Sequence, residues 1–248
     1  MHYIENPGLP ETEVSLAAVS GTYPELIDAL HQCGIQTIPV LPERGKSEWL
    51  AGHSDLHIFH AGGCNLFLSA GTGRLKQNLL QYDFRITELP YVISSPYPDD
   101  VRLNALLLGK KAIVNQLTIG KEIFDYIIAK KYRIISVKQG YAKCSAAVVD
   151  ENSIITSDSG IARAAAQAGI EVLKITEGFI RLKGFQYGFI GGACGKISKH
   201  KIAFCGRIQD HPDYPSIKKF LEARKIEPVV LADIPLTDIG GIIPLMEF

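Results

Sequence analysis

A repeated unit restricts the fold of this chain more than any local motif does. Five helix-forming stretches are each followed, after a short break, by an extended run that is rich in β-branched residues. The helical stretches are 24–34, 72–83, 120–131, 160–169 and 214–225, and the extended runs begin at residues 35, 84, 132, 170 and 226. Self-similarity of this kind is the signature of repeat architectures, in which copies of one unit pack side by side. The sequence therefore predicts five similar units.

A hairpin pattern precedes four of the five helices. The predicted turns are Gly62-Gly63, Gly109-Lys110, Asp150–Asn152 and Lys199-His200. Two extended runs joined by a short turn indicate an antiparallel pair of strands. The complete unit is therefore strand–strand–helix–strand (ββαβ), and its four copies occupy residues 52–91, 99–138, 141–177 and 187–233.

The fifth unit is divided between the two ends of the chain, residues 238–248 and 11–41. Residues 239–248 predict a strand without a partner, and residues 11–21 predict a strand without its hairpin mate. If the two strands pair, the ring closes and both termini are fixed. The sequence thus predicts one α/β domain over residues 1–248, a five-bladed ββαβ propeller with pseudo-fivefold symmetry. An ordinary α/β sandwich has the same alternation of elements and is the alternative.

Composition and charge argue against several classes of function. The chain has 26 basic and 26 acidic side chains, so it lacks the basic excess of proteins that bind nucleic acid or anionic membranes. No run approaches 18 consecutive apolar residues, and the first ten residues do not resemble a signal peptide. Five cysteines without a CxxC pair indicate reduced thiols. We therefore expect a cytoplasmic protein with neither a nucleic-acid nor a membrane partner; the oligomeric state stays open.

The motif His53-Ser54-Asp55 opens the hairpin of the first complete unit. Residues i and i+2 of a strand point to the same face, so the imidazole and the carboxylate should project together. In a ring the starts of these strands converge on the central axis, where a carboxylate can bind a cation and a histidine can transfer protons. A surface loop is the alternative, because residues 51–55 also suit a turn.

The five ββαβ units and the His-x-Asp motif resemble the pentein fold of the guanidine-modifying enzyme superfamily. This superfamily includes arginine and agmatine deiminases, dimethylarginine hydrolases and amidinotransferases, and the chain looks closest to a bacterial branch whose function is unknown. The resemblance implies a cysteine thiolate that attacks the guanidine carbon and forms a covalent amidino intermediate. It also implies that His53 transfers protons and that Asp55 binds the guanidinium.

Cys144 is the first candidate for the thiolate. It lies six residues before its turn start at Asp150, and Asp55 lies six residues before Ala61, where its own turn begins, so both should point inward. The superfamily places its cysteine two units after its His-x-Asp unit, as Cys144 lies two units after His53. The adjacent Lys143 supplies a cation that can lower a thiol pKa.

Cys194 is the rival candidate. The glycine-rich stretch 191–195 resembles the approach to the deiminase cysteine, but Cys194 lies three units after His53 and only four residues before its turn. Both cysteines also fit a purely structural role, because free cysteine is often buried in the core.

Polar residues at the other hairpin openings are candidates for substrate binding. They are Asp99, Asp100, Asn104 on a predicted strand, Lys143 and Asp238. Asp238 precedes a pair of glycines where the superfamily commonly has Glu-Gly-Gly, so this match is partial. A solvated turn explains Asp99 and Asp100 equally well.

The sequence predicts neither a metal nor a cofactor. It has no HExxH motif and no Cys/His ligand spacing. Four histidines outside the motif, His57, His60, His200 and His211, are expected to face solvent or a turn rather than a metal. No P-loop is found, and no GxGxxG follows a strand, so no nucleotide cofactor is expected.

Two functions fit these observations. The first is a cofactor-independent hydrolase or amidinotransferase acting on a small guanidine or amidine compound bound in the axial pocket. The second is a non-catalytic binding protein, similar in role to the ribosome anti-association factor that shares the pentein fold. The positions of His53, Asp55 and a cysteine discriminate between them, because only an enzyme needs these side chains to converge.

Overall fold

A computed structural model describes residues 1–42, 50–92 and 97–248. Its strands are β1 (His2–Tyr3), β2 (Val14–Ser20), β3 (Gln36–Val40), β4 (Ile58–His60), β5 (Asn65–Leu68), β6 (Arg85–Glu88), β7 (Leu106–Leu108), β8 (Lys111–Val114), β9 (Arg133–Ser136), β10 (Ala146–Asp150), β11 (Ser153–Thr156), β12 (Glu171–Lys174), β13 (Cys194–Ser198), β14 (Lys201–Phe204), β15 (Glu227–Val230) and β16 (Ile243–Glu247). Its helices are α1 (Pro24–Gln32), α2 (Ser54–His57), α3 (Gly73–Leu80), α4 (Lys121–Ala129), α5 (Ser159–Gln167) and α6 (Tyr214–Glu222), with short 3₁₀ turns at Asp99–Val101 and Ile208–Asp210.

The strands of the described residues form five small sheets, and four of these sheets share one pattern. In each, an antiparallel hairpin is followed by a third strand that runs parallel to the second. The orders are β4-β5-β6, β7-β8-β9, β10-β11-β12 and β13-β14-β15. A parallel third strand needs a crossover connection, and a single helix provides it each time. Each of these sheets is therefore one ββαβ unit.

The fifth sheet joins the two ends of the chain. Its order is β1-β16-β2-β3, and β16 is antiparallel to β2, with Ile243 opposite Ala18. The next strand, β3, runs parallel to β2, and α1 connects them. This is the pairing of N- and C-terminal strands that the sequence predicts. The alternative of an ordinary sandwich is wrong, because the strands form five separate sheets.

Helix α5 illustrates how the local sequence sets the bounds of a unit. The carboxylate of Asp158 accepts a hydrogen bond from the backbone N of Ile161 at 2.7 Å and so caps the first turn. Ile161 and Ala165 face the core from one side of the helix. Gly169 follows the last turn with a φ of +82°, a conformation that ends a helix at little cost for glycine.

Equivalent strands of the five units line one small cavity of about 70 Å³, called the axial cavity below. The contributing strands are β4, β7, β10, β13 and β16. Their arrangement brings together residues at the strand starts that are far apart in sequence, Asp55, Lys143 and Cys194 among them. None of the helices in the described ranges is long and apolar enough to cross a membrane.

Candidate active site

Cys144 lies just before β10 and is buried. Its Sγ donates a hydrogen bond to Oδ2 of Asp55 at 2.7 Å, and the side-chain amide of Asn104 donates to the sulfur at 3.1 Å. The side-chain oxygen of Asn104 accepts from the backbone N of Lys143 and of Cys144, at 2.8 and 3.2 Å. Asn104 therefore fixes the backbone that carries the thiol, and three ββαβ units contribute to its surroundings.

Burial and charge keep the Cys144 thiol protonated in the free protein. Burial raises the pKa of Cys144 well above its usual range, and the carboxylates of Asp55 and Asp238 raise it further. Lys143 acts in the opposite direction, with Nζ 3.9 Å from Oδ2 of Asp55. Burial also raises the pKa of Asp55 above its usual value. Formation of the thiolate therefore requires additional positive charge close to the sulfur.

Asp238 and His53 form a second polar pair beside the thiol. Oδ1 of Asp238 lies 3.7 Å from Nδ1 of His53, and both side chains are buried. The backbone N of Gly240 donates to Oδ1 at 3.0 Å, and the backbone N of Phe189 donates to Oδ2 at 2.8 Å. These bonds satisfy the buried carboxylate and fix its orientation.

A cleft of about 280 Å³ opens in front of Cys144. The described residues that line this cleft are Leu50, His53, Leu56, Tyr141, Cys144, Leu182, Phe185, Gln186, Tyr187, Phe189 and Asp238. Small-molecule sites commonly have volumes of roughly 300–1,000 Å³, so the cleft suits a small ligand. Asp55 lines the axial cavity and not the cleft. The thiol is therefore reached from the cleft, with its hydrogen-bond acceptor behind it.

Six of the predicted site residues come together at this thiol: His53, Asp55, Asn104, Lys143, Cys144 and Asp238. Cys194 does not join them. It begins β13, lines the axial cavity, and its Sγ donates to the carbonyl O of Ile190 at 3.1 Å. Burial raises the pKa of Cys194 to about 12. These surroundings are those of a packed thiol.

The two aspartates before the second hairpin also lie away from the cleft. Asp99 is exposed and accepts hydrogen bonds from the guanidinium of Arg102. Asp100 is buried and accepts from the hydroxyl of Tyr141, a residue of the cleft wall. Asp100 therefore orients a wall residue, whereas Asp99 occupies the solvated turn that the sequence offered as an alternative.

The strand geometry predicted for the His53-Ser54-Asp55 motif is wrong. Residues Ser54–His57 form the single helical turn α2, and β4 begins only after it. The two side chains therefore do not share a strand face. Asp55 contacts Cys144, whereas His53 faces Asp238.

A contact with the divided fifth unit explains the helical turn. The backbone N of Asp55 and the hydroxyl of Ser54 both donate to the carbonyl O of Gly240, at 3.2 and 2.9 Å. Such long-range bonds hold this segment out of the sheet. Asn104 likewise lies in the turn before β7, not on the strand where the sequence places it.

Of the four histidines expected to face solvent or a turn, His57, His60 and His211 are buried, and His200 is exposed. The ring of His57 bonds the hydroxyl of Ser69 and the carbonyl O of Ala51, both at 2.8 Å. His60 and His211 each bond a backbone carbonyl as well. These hydrogen bonds offset the cost of burying the imidazole rings, and the sequence alone does not reveal them. Within the described ranges, no group of three or more His, Cys, Asp or Glu residues can hold a metal ion.

The aromatic side of the cleft was missed by the sequence analysis. The rings of Tyr141 and Phe189 pack with centroids 5.9 Å apart and an interplanar angle of 35°. Phe185 and Tyr187 line the same cleft. The available signal was the connection between β12 and β13, residues 175–193, which is long and rich in aromatic residues. Long connections in compact domains are often functional.

Replacement of Asp55 by asparagine should stabilise the fold at neutral pH. The folded pKa of Asp55 is raised by burial above its ordinary value of 3.8, and Oδ1 has no hydrogen-bond partner among the described residues. The folded protein thus binds this proton more tightly than the unfolded chain. This tighter binding of the proton stabilises the folded protein. The stabilisation is fully present below the ordinary pKa of 3.8 and is lost as the pH rises through the raised pKa of folded Asp55. Asp55→Asn removes this loss, so at pH 7 the variant should unfold at a higher urea concentration than the natural chain.

Urea unfolding at pH 7 and at pH 4 measures this effect, which should be larger at pH 7. Asp99→Asn is the matched control, because that carboxylate is exposed, and it should change the unfolding free energy by less than about 0.5 kcal/mol. A loss of stability in Asp55→Asn at pH 7 contradicts the expectation.

Solved structures of guanidine-modifying enzymes are similar to this chain in fold. The amidinotransferase SxtG of the saxitoxin pathway of Microseira wollei has a TM-score of 0.57 at 10% identity, with 96% of this chain and 91% of that chain covered. The inosamine-phosphate amidinotransferase of Streptomyces griseus has a TM-score of 0.59 at 10% identity, covering 100% of this chain and 97% of that chain. DDAH of Pseudomonas aeruginosa, solved with citrulline, has a TM-score of 0.53 at 9% identity, covering 92% and 96%. At these identities the likeness shows the fold alone, and that fold is the predicted pentein fold.

No curated protein matches this chain in sequence. The profile of a family of unknown function (DUF6873) matches residues 18–243, which is most of the chain. The match agrees with the expected branch of unknown function within the pentein fold. The protein therefore belongs to the family of unknown function DUF6873.

Proposed function

We propose that this protein is a cysteine-dependent enzyme that hydrolyses a small guanidine or amidine compound or transfers its amidino group. One observation carries the proposal. A buried thiol, Cys144, faces a cleft with the carboxylate of Asp55 as its hydrogen-bond acceptor and the pair His53 and Asp238 beside it. A protein that binds partners only through its outer surface needs none of these contacts.

The two carboxylates suit different tasks. Asp238 lines the cleft, so it is placed to hold a substrate cation by charge-assisted hydrogen bonds. Asp55 lies behind the sulfur and is placed to receive the thiol proton. This division differs from the sequence expectation, in which Asp55 binds the guanidinium. A cation bound beside Cys144 offsets the negative charge that raises the thiol pKa, so substrate binding itself promotes the thiolate.

The proposed reaction has two steps. The sulfur of Cys144 forms a bond to the guanidine carbon, the bond from that carbon to the leaving amine breaks, and His53 gives the amine a proton. His53 then takes a proton from water or from an acceptor amine, which attacks the amidino carbon. The sulfur–carbon bond breaks, and the thiolate regains its proton from Asp55.

The cationic reagent 2-chloroacetamidine should label Cys144 at least about tenfold faster than the neutral reagent iodoacetamide at pH 7. Its amidinium resembles a guanidinium and brings positive charge to the two carboxylates, and a gain of only about 1.4 kcal/mol is tenfold in rate. The sulfur displaces chloride while its proton passes to Asp55. Mass spectrometry of peptides after timed labelling gives both rates.

Cys33 provides an internal control, because it is exposed and is not among the described residues that line the cleft. It should react faster with iodoacetamide, whose leaving group is the better one. If Cys144 stays unlabelled by the amidine while Cys33 reacts, the proposed enzyme is wrong, and the non-catalytic binding protein becomes the better description.

A further inference from the structure

We propose that the substrate carries an apolar or aromatic group at the end away from its guanidine, and no carboxylate there; this inference rests on the proposed function. It concerns the part of the cleft beyond Cys144, His53 and Asp238. Two properties of that part of the wall support it, its charge and its aromatic surface.

No lysine or arginine among the described residues lines the cleft. Lys143 is the nearest cation in sequence to the nucleophile, but its Nζ donates to the carbonyl O of Gly191 at 3.0 Å and it lines the axial cavity. Recognition of a carboxylate commonly uses an arginine or a lysine. An α-amino acid tail such as that of arginine would therefore find no lysine or arginine partner among the described residues of this cleft.

Most of the described residues in the wall of the cleft are apolar. Its aliphatic and aromatic members are Leu50, Leu56, Tyr141, Leu182, Phe185, Tyr187 and Phe189. Phe185 is 51% exposed, so it leaves apolar surface on the cleft side that a ligand can cover. A ligand that covers it removes apolar surface from water, and the rings of Tyr141 and Phe189, tilted by 35° to each other, add aromatic surface that a ligand ring can contact.

The size of the cleft supports the same conclusion. A guanidinium has four heavy atoms and occupies only part of about 280 Å³. Once the guanidinium lies between Cys144 and Asp238, the remaining space is bounded by Leu182, Phe185 and Tyr187 of the connection 175–193. That space is filled best by an uncharged hydrocarbon or aromatic ring.

Protection of Cys144 from 2-chloroacetamidine tests this inference with two matched ligands. Phenethylguanidine and 3-guanidinopropanoate share the guanidine and a two-carbon chain, and they differ in a phenyl ring against a carboxylate. We expect phenethylguanidine to halve the labelling rate of Cys144 at a concentration at least about tenfold lower than 3-guanidinopropanoate requires. The inference is wrong if the two ligands protect equally, if 3-guanidinopropanoate protects better, or if neither ligand protects. In each of these cases the labelling of Cys144 by the amidine still supports the proposed function. Failure of the reagent to label Cys144 overturns both.

Two variants in the connection 175–193 test which residue causes the preference for the aromatic ligand. Phe185→Ala should reduce the difference between the two ligands to less than about threefold. Phe179→Ala is its control, because Phe179 belongs to the same loop and is also 51% exposed but does not line the cleft, and it should keep the full difference. Melting curves check that both variants fold. An unchanged preference in Phe185→Ala overturns the assignment of this wall.

Discussion

The variant Cys144→Ser should lose turnover of guanidine compounds by roughly 10⁴-fold or more and still fold. A serine hydroxyl is close in size to the thiol and can donate to Asp55 and accept from Asn104, as the thiol does. Its conjugate base is far harder to form, however, so the attack on the guanidine carbon is lost. Release of amine, ammonia or urea from phenethylguanidine measures turnover, and a melting curve measures folding.

Two further serine variants make this result specific. Cys194→Ser tests the rival nucleophile, which lies at the axial cavity and bonds the carbonyl O of Ile190. Cys33→Ser changes an exposed thiol and should leave turnover unchanged. If Cys194→Ser abolishes turnover and Cys144→Ser does not, the nucleophile is Cys194 and the mechanism proposed for the cleft is wrong.

The fold could be predicted from the sequence because its signals are local and occur five times. Each of the five crossover helices has an apolar face, two of them are followed by a glycine (Gly34 and Gly169), and each extended run is rich in β-branched residues. Errors at one copy therefore do not change the architecture. The predicted ends of the helices and strands are less accurate than the predicted order of these elements. The predicted helix 160–169 spans 159–167, because the capping carboxylate of Asp158 starts it and the last turn ends before the glycine.

The membership of the site was predicted better than its contacts. The His-x-Asp motif pointed to His53 and Asp55, a partial match to the superfamily pattern pointed to Asp238, and counting along the units pointed to Cys144; the structure brings these four side chains close together. Which carboxylate touches which partner depends on long-range contacts, such as the bonds of Ser54 and Asp55 to Gly240 that form α2. The aromatic wall was missed because the connection 175–193 does not belong to the repeated pattern.

Replacement of Gly192 by alanine should damage both stability and the site. A Cβ at Gly192 would lie 2.0 Å from Oδ1 of Asp238. The backbone N of Gly192 also donates to the carbonyl O of Cys144 at 3.0 Å, and its own carbonyl accepts from Ile239 and Gly241 at 2.9 and 2.7 Å. The methyl group therefore must displace the carboxylate or the backbone that supports the thiol. We expect a loss of about 3 kcal/mol in unfolding free energy.

The same displacement should slow amidine labelling of Cys144 by about 10²-fold, because a shift of about 1 Å in a reacting group has effects of this size. Gly73→Ala is the matched control. A Cβ there meets no atom within 4 Å, and Gly73 begins α3, so this variant should be as stable as the natural chain or slightly more stable. Urea unfolding and peptide mass spectrometry on both variants give the comparison. If Gly192→Ala labels at the normal rate, the carboxylate of Asp238 does not bind the cation, and that role must belong to another group of the cleft.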